Sequence, residues 1–424
     1  MMLGPRAARA KRLATRIALF AAPPLLAAFA PLLVLSSIAR TSGTPVWVSL
    51  LLGQAIGSIG CLITTWGWDI GGPARAAAAG RPERRALLAL SLANRLPIAL
   101  VVMASAIAAS AALAPAEGKV LAVAAAIAGT AQGLSLNWWF TAIGRPGGIV
   151  LTDALPRTAA AAVSVPLIWI GLPALVYPLL GATMTFVAYC LGYRGILRGV
   201  EWPARREVWS SIRADTRLAL IAVTTSAYTT ATLPLVQWIN PLAAPAFGAA
   251  QRIAGYWTFG TVVLGNTAQN WVNQHGRSAV HRRARTALVV FTIEGLVLGS
   301  ALWLVGPLVG RLIFGVESPV PQIVFAAFAA TFLAVAMSTA LGRLFLIPLG
   351  REKEVGTITL VTAAVGVASL CVGAGVAGAV GASLALAGTE IFATLLLACA
   401  AIRIALRLRS AAPHELAPVP VPVR

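Results

Sequence analysis

Apolar runs recur along nearly the whole chain, and their lengths constrain the fold before any motif is read. Most are about 17–25 residues long, the length a helix needs to cross the hydrocarbon of a bilayer. They occupy residues 17–38, 46–66, 96–113, 120–140, 158–171, 174–193, 218–239, 247–271, 287–308, 321–340, 356–372 and 376–402. A soluble domain does not have this profile: 58% of the 424 residues are hydrophobic and only 11% are charged. The expectation is an all-α polytopic membrane protein with about twelve transmembrane helices. The basic start, residues 1–16, resembles the head of a signal peptide. The run after it is too long for one, and more membrane follows, so it reads as the first span.

The longest polar intervals are 69–95 and 194–217, and the second separates six runs from six. This predicts two six-helix bundles related by a pseudo-twofold axis, over residues 1–205 and 206–410, with a disordered cytoplasmic tail at 411–424. A weak internal echo supports the repeat: Gln54-Ala55-Ile56-Gly57 in the second run and Gln251-Arg252-Ile253 with Gly255 in the eighth.

The net charge of +20 could suggest nucleic acid, so its location matters. With a cytoplasmic N-terminus, 29 of the 33 Lys and Arg fall in cytoplasmic segments; the others are Arg40, Lys119, Arg252 and Arg311. That asymmetry is the positive-inside rule, and moving the count by one span destroys it. Both termini are therefore expected in the cytoplasm, with the chain in the cytoplasmic (inner) membrane and no nucleic-acid partner.

Reactive motifs are absent. Cys61, Cys190, Cys371 and Cys399 lie inside apolar runs at irregular spacing, and His275, His281 and His414 show no metal-ligand spacing. There is no GxxxxGK[ST], HExxH or GxSxG, so no ATP site, catalytic residue, cofactor or metal is expected. The outside loops are too short to hold the acceptor site of a membrane glycosyltransferase or ligase.

The richest segment is 247–274, FGAAQRIAGYWTFGTVVLGNTAQNWVNQ. At 100° per residue, Gln251, Arg252, Tyr256, Asn266, Gln269, Asn270 and Asn273 share one arc about 140° wide. Arg at membrane depth is unfavourable unless solvated or paired, so this arc is read as a cavity wall, with a polar packing seam as the bland alternative. Phe259, Val262 and Val263 fall within the arc between its two polar clusters and form a candidate apolar gate. The run before it, 218–239, is Thr-rich and carries Gln237; it reads as a hydroxyl-lined wall or as packing around Pro234. Glu294 and Glu390 are the two carboxylates inside apolar runs. They are candidates for coupling to protons or Na+, against the alternative of neutral carboxyls bonded to a neighbouring helix.

Three segments resemble the multidrug/oligosaccharidyl-lipid/polysaccharide (MOP) flippase superfamily, in its bacterial polysaccharide-transporter (Wzx-like) branch. They are Gly67-Trp68-Asp69-Ile70-Gly71-Gly72-Pro73; Asn137-Trp138-Trp139-Phe140-Thr141-Ala142-Ile143-Gly144-Arg145-Pro146, continuing to Leu155-Pro156-Arg157; and Phe247-Gly248-Ala249-Ala250-Gln251-Arg252. The resemblance implies two bundles that open a cationic cavity alternately to each side. It further implies a lipid-linked oligosaccharide, carried on polyprenyl pyrophosphate, as substrate. Arg252 and Arg40 would supply the positive charge for the head group, while Gln251, Gln237, Asn266, Gln269 and Asn270 would bond sugar hydroxyls. The rival is a secondary exporter of small molecules, of the drug-exporter branch or the major facilitator type.

Overall fold

The computed structural model describes residues 31–273, 276–315 and 320–410. Most of the first expected span and the whole tail lie outside that set. The described residues form helices with no strand among them, and seven helical stretches are long and apolar enough to cross a membrane. The chain packs as two compact units.

The first unit runs to Ala249 and also includes Leu308–Val320. It contains α1 (31–42), α2 (Thr44–Thr65), α3 (Trp68–Ala78), α4 (Arg81–Leu113), α5 (Lys119–Ala131), α6 (Asn137–Ala142), α7 (Pro146–Ile149), α8 (Leu155–Trp169), α9 (Val176–Leu197) and α10 (Arg205–Ile239). Its centre is the packing of α2 on α5. Gly53, Gly57 and Gly60 face Ala122, Ala126, Gly129 and Thr130 so closely that a Cβ on Gly57 would sit 2.9 Å from Gly129 Cα. In a bilayer, lipid competes for apolar contact as well as protein does, so small residues that bring backbones together supply the association.

Helix α2 ends on a left-handed pair, Trp66 (φ 46°) and Gly67 (φ 79°), and the chain turns into α3. Gly67 and Gly71 leave room for α10: a Cβ on Gly67 would lie 2.8 Å from Leu218 Cβ, and one on Gly71 3.0 Å from Leu218 Cδ1. Gly72 gives way to Trp138, whose ring centre lies 5.2 Å from that of Trp68. Two of the sequence motifs therefore meet in one buried cluster with Leu88, Leu136, Tyr189 and Tyr193.

Several helices depart from the expected spans. Helix α4 begins at Arg81 rather than residue 96, and α10 at Arg205 rather than 218, because both continue as amphipathic polar turns. The expected span 120–140 is broken at Ser135–Leu136, between a 3₁₀ turn and α6. Helix α7 leads through a π-helical turn, Val150–Ala154, into α8.

The second unit comprises Ala250–Pro307 and the chain from Pro321. It holds most of α11 (Ala244–Asn273) and α12 (Gly276–Phe314), then α13 (Gln322–Thr339), a π-helical continuation Ala340–Leu346, and α14 (Glu352–Ser410). Helix α14 is two helices joined at Ala377 (φ −130°, ψ 22°) and Gly378 (φ 56°, ψ −135°). The sequence reading places this turn at 373–375. Gly373 is instead a packing position: a Cβ there would collide with the carbonyl of Gly381.

Candidate functional site

Helix α11 carries the predicted polar arc, and its backbone is helical throughout. Near its start Phe247, Ala249 and Ala250 are fully buried, and Gly248 admits Leu233 of α10 at 3.1 Å from its Cβ position. The first residues of this third motif are thus packing positions, directly preceding Gln251 and Arg252 in the helix. Gln251 is half-buried. The Arg252 guanidinium lies 5.6 Å from the centre of the Tyr256 ring, one turn on, a cation–π arrangement of i,i+4 neighbours. Its Nε is buried and has no hydrogen-bond partner among the described residues. The side chains of Asn266, Gln269, Asn270, Phe259, Val262 and Val263 lie outside the described residues.

Within the second unit, α11 and α12 are joined by a polar contact in an apolar setting. Thr261 Oγ1 donates to Glu294 Oε1 at 3.0 Å, while Glu294 Oε2 is buried without a partner among the described residues. The sequence marks Glu294 but not Thr261, because the hydroxyl is 33 residues away. Glu390 is half-buried in α14. On the π-helical continuation of α13, Arg343 Nη1 approaches to 3.5 Å from where a Cβ on Gly265 of α11 would stand.

Two predicted residues belong to the first unit. Gln237 is 5% exposed; its Nε2 donates to the Leu113 carbonyl at the end of α4 at 3.1 Å, and its Oε1 is buried without a partner among the described residues. Arg40 is exposed and donates to the Leu312 carbonyl at 2.6 Å, in the segment that this unit takes from the end of α12. Beside it, Trp47 and Phe314 pack with ring centres 4.6 Å apart.

The largest polar cluster of the first unit was not singled out from sequence. Asp153, on the π-helical turn, is 6% exposed and accepts from Arg157 (2.6 Å), Asn137 (3.2 Å) and Tyr189 (3.3 Å); Arg157 also donates to Gln132 at 3.0 Å. Asn137 and Arg157 are both residues of the second motif. The available signal was an acid lying between them, but an acid in a loop interval is indistinguishable from a solvated one until the helices are placed. No group of three or more His, Cys, Asp or Glu side chains among the described residues could hold a metal ion.

This is an integral membrane protein built of long apolar helices, with cationic and carboxylate side chains set among them. No family model and no curated protein matches the chain in sequence. Its fold is that of MOP-superfamily transporters. A multidrug resistance MATE family transporter of that superfamily, in an inward-facing conformation, superposes with a TM-score of 0.71 over 91% of this chain and 96% of its own, at 12% identity. The lipid II flippase MurJ, in an inward closed conformation, gives 0.71 over 90% and 87%, at 10% identity. A eukaryotic MATE transporter gives 0.56 over 92% and 96%, at 14% identity.

Proposed function

We propose that the protein is a flippase that moves polyprenyl-pyrophosphate-linked oligosaccharide across the cytoplasmic membrane by alternating access, for cell-surface polysaccharide. Twelve spans in two bundles, with both termini in the cytoplasm, are part of this reading. The observation that carries it is Arg252: a guanidinium on α11, which this reading takes as a span, braced on Tyr256, with a buried Nε donor unspent among the described residues. Such a donor suits an anionic acceptor, and a pyrophosphate offers one. The likeness to a lipid II flippase over nine-tenths of the chain supports a lipid-linked substrate. In this reading Gln251 and the Asn266, Gln269 and Asn270 side chains meet sugar hydroxyls, Phe259, Val262 and Val263 form the constriction, and Glu294 or Glu390 couples transport to protons or Na+.

Replacing Arg252 with Ala should lower translocation of a reconstituted prenyl-pyrophosphate oligosaccharide at least tenfold, the scale of a lost charge-assisted hydrogen bond. Its level in the membrane should stay normal. Unchanged translocation overturns the assignment. A second reading, export of small molecules, draws on the equally good superposition of the MATE transporter and on the intramembrane carboxylate of Glu294. Efflux of a cationic dye that is lost in Glu294→Gln and kept in Arg252→Ala would favour it.

A further inference from the structure

Among the described residues three ion pairs occur, and they differ in what they join. Arg157–Asp153 is an i,i+4 pair along one helical stretch, and Arg403–Glu354 is largely exposed. Arg75–Asp215 ties α3 to α10, 140 residues further on, and encloses a carboxylate that is 4% exposed, with nitrogen and oxygen 3.2 Å apart.

Further bonds hold α10 at the same place, through Ser211 and Ile212. Asp215 also accepts from Ser211 Oγ at 3.3 Å, and Ser211 in turn accepts from Asn94 Nδ2 of α4 at 3.2 Å. The Trp66 indole donates to the Ile212 carbonyl at 3.0 Å. Trp66 does so from the left-handed region, the one non-glycine residue there among the described residues. For a bulky side chain that is a strained backbone, held only because its surroundings over-determine it.

We propose that this joint is a latch that opens in each transport cycle, releasing the first turns of α10 from α2, α3 and α4. Both partners of the ion pair keep company when it separates. The Arg75 guanidinium already lies 4.2 Å from the Trp68 ring centre and donates from Nε to the Gly71 carbonyl, while Asp215 retains the Ser211 hydroxyl. An element with two supported arrangements is what a conformational cycle needs. The latch rests on the transporter reading above; on the charge asymmetry of the sequence it lies on the cytoplasmic side.

The test uses the full chain with its four native cysteines changed to alanine. Asn94→Cys and Ser211→Cys are introduced together and bridged by a short, cleavable bifunctional thiol reagent. The bridged protein should lose translocation at least tenfold and recover it when the bridge is cut; equal rates with and without the bridge overturn the latch. A second measurement does not depend on the substrate. A cysteine at Thr216, half-buried beside the pair, should react several times faster with a water-soluble maleimide in the Asp215→Asn background than in the parent. An unchanged rate overturns the latch even if the cysteine-free parent moves no lipid-linked sugar, a result that would count against the flippase reading alone.

Discussion

Arg95 is fully buried, yet its donors go to backbone: the Gly133 carbonyl at 2.8 Å and the Ser135 carbonyl at 3.0 Å, with the Tyr193 hydroxyl at 2.8 Å. These carbonyls end α5 and its 3₁₀ turn, where no helical N–H remains to meet them. Arg84 does the same for Ala77 and Ala79 at the end of α3, Arg85 for Ile196 and Arg198 after α9, and Arg40 for Leu312. A cation at a helix C-terminus also meets the negative end of its dipole. Arg84, Arg85 and Arg95, three of the 29 basic residues in the expected cytoplasmic segments, are therefore also capping charge. Replacing Arg95 with Met should destabilise the protein by about 3 kcal/mol, since it leaves buried acceptors unmet. Arg95→Lys should recover only part, having no planar fork to reach two carbonyls. Thermal unfolding in detergent reads both, and a melting temperature equal to the parent's for Arg95→Met would refute the capping role. None of this was legible in the sequence, where Arg95 is one more basic residue in a polar interval: the carbonyl it meets is 40 residues away.

At the scale of elements, the apolar runs locate most helices because in hydrocarbon the backbone can satisfy itself only within a helix or a closed barrel. Their ends were less legible. Helices α4 and α10 run on past the apolar stretch, where hydropathy falls but helical hydrogen bonding does not. The glycines needed the structure to be understood. Gly57 and Gly255 both follow the echoed Gln-x-Ile, three residues after Gln54 and four after Gln251, yet Gly57 is pressed against Gly129 while a Cβ on Gly255 would meet open space. The two positions therefore respond differently to the same change. Gly57→Leu should separate α2 from α5 and cost on the order of 3 kcal/mol as overpacking. Gly255→Leu should be close to neutral, or slightly stabilising through helix propensity. Comparing the folded yield and melting temperature of the two variants tests this; equal losses would show that the α2–α5 contact is not the tight one. For the polar arc of α11, the structure bears out the helix that periodicity predicts, while the Asn266, Gln269 and Asn270 side chains lie outside the described residues. The Thr261–Glu294 and Arg343–Gly265 contacts, which lie outside that arc, were not legible, since each joins helices far apart in sequence.

On the scale of the whole molecule, the units do not follow the chain in order: the first takes back Leu308–Val320, and its boundaries fall at Pro307 and Pro321. A proline removes a helical hydrogen bond and permits a bend, so a chain that passes from one body to another is well served by one at the crossing. Which side of the membrane each end faces is an expectation from charge rather than packing. The 198–217 interval carries Arg198, Arg205, Arg206, Arg213 and Arg217, while the turn before α5 carries Glu117 and Lys119. Trp202, 58% exposed in the first, and Glu117, exposed in the second, are suited to labelling. In the cysteine-free chain in intact cells, a membrane-impermeant maleimide should modify Glu117→Cys directly, and Trp202→Cys only after the membrane is opened. The reverse pattern would place the Arg75–Asp215 joint on the outer face. A substrate made in the cytoplasm would then first meet the Gln251 and Arg252 end of α11, whereas in the expected orientation it first meets the end that carries Asn266, Gln269 and Asn270.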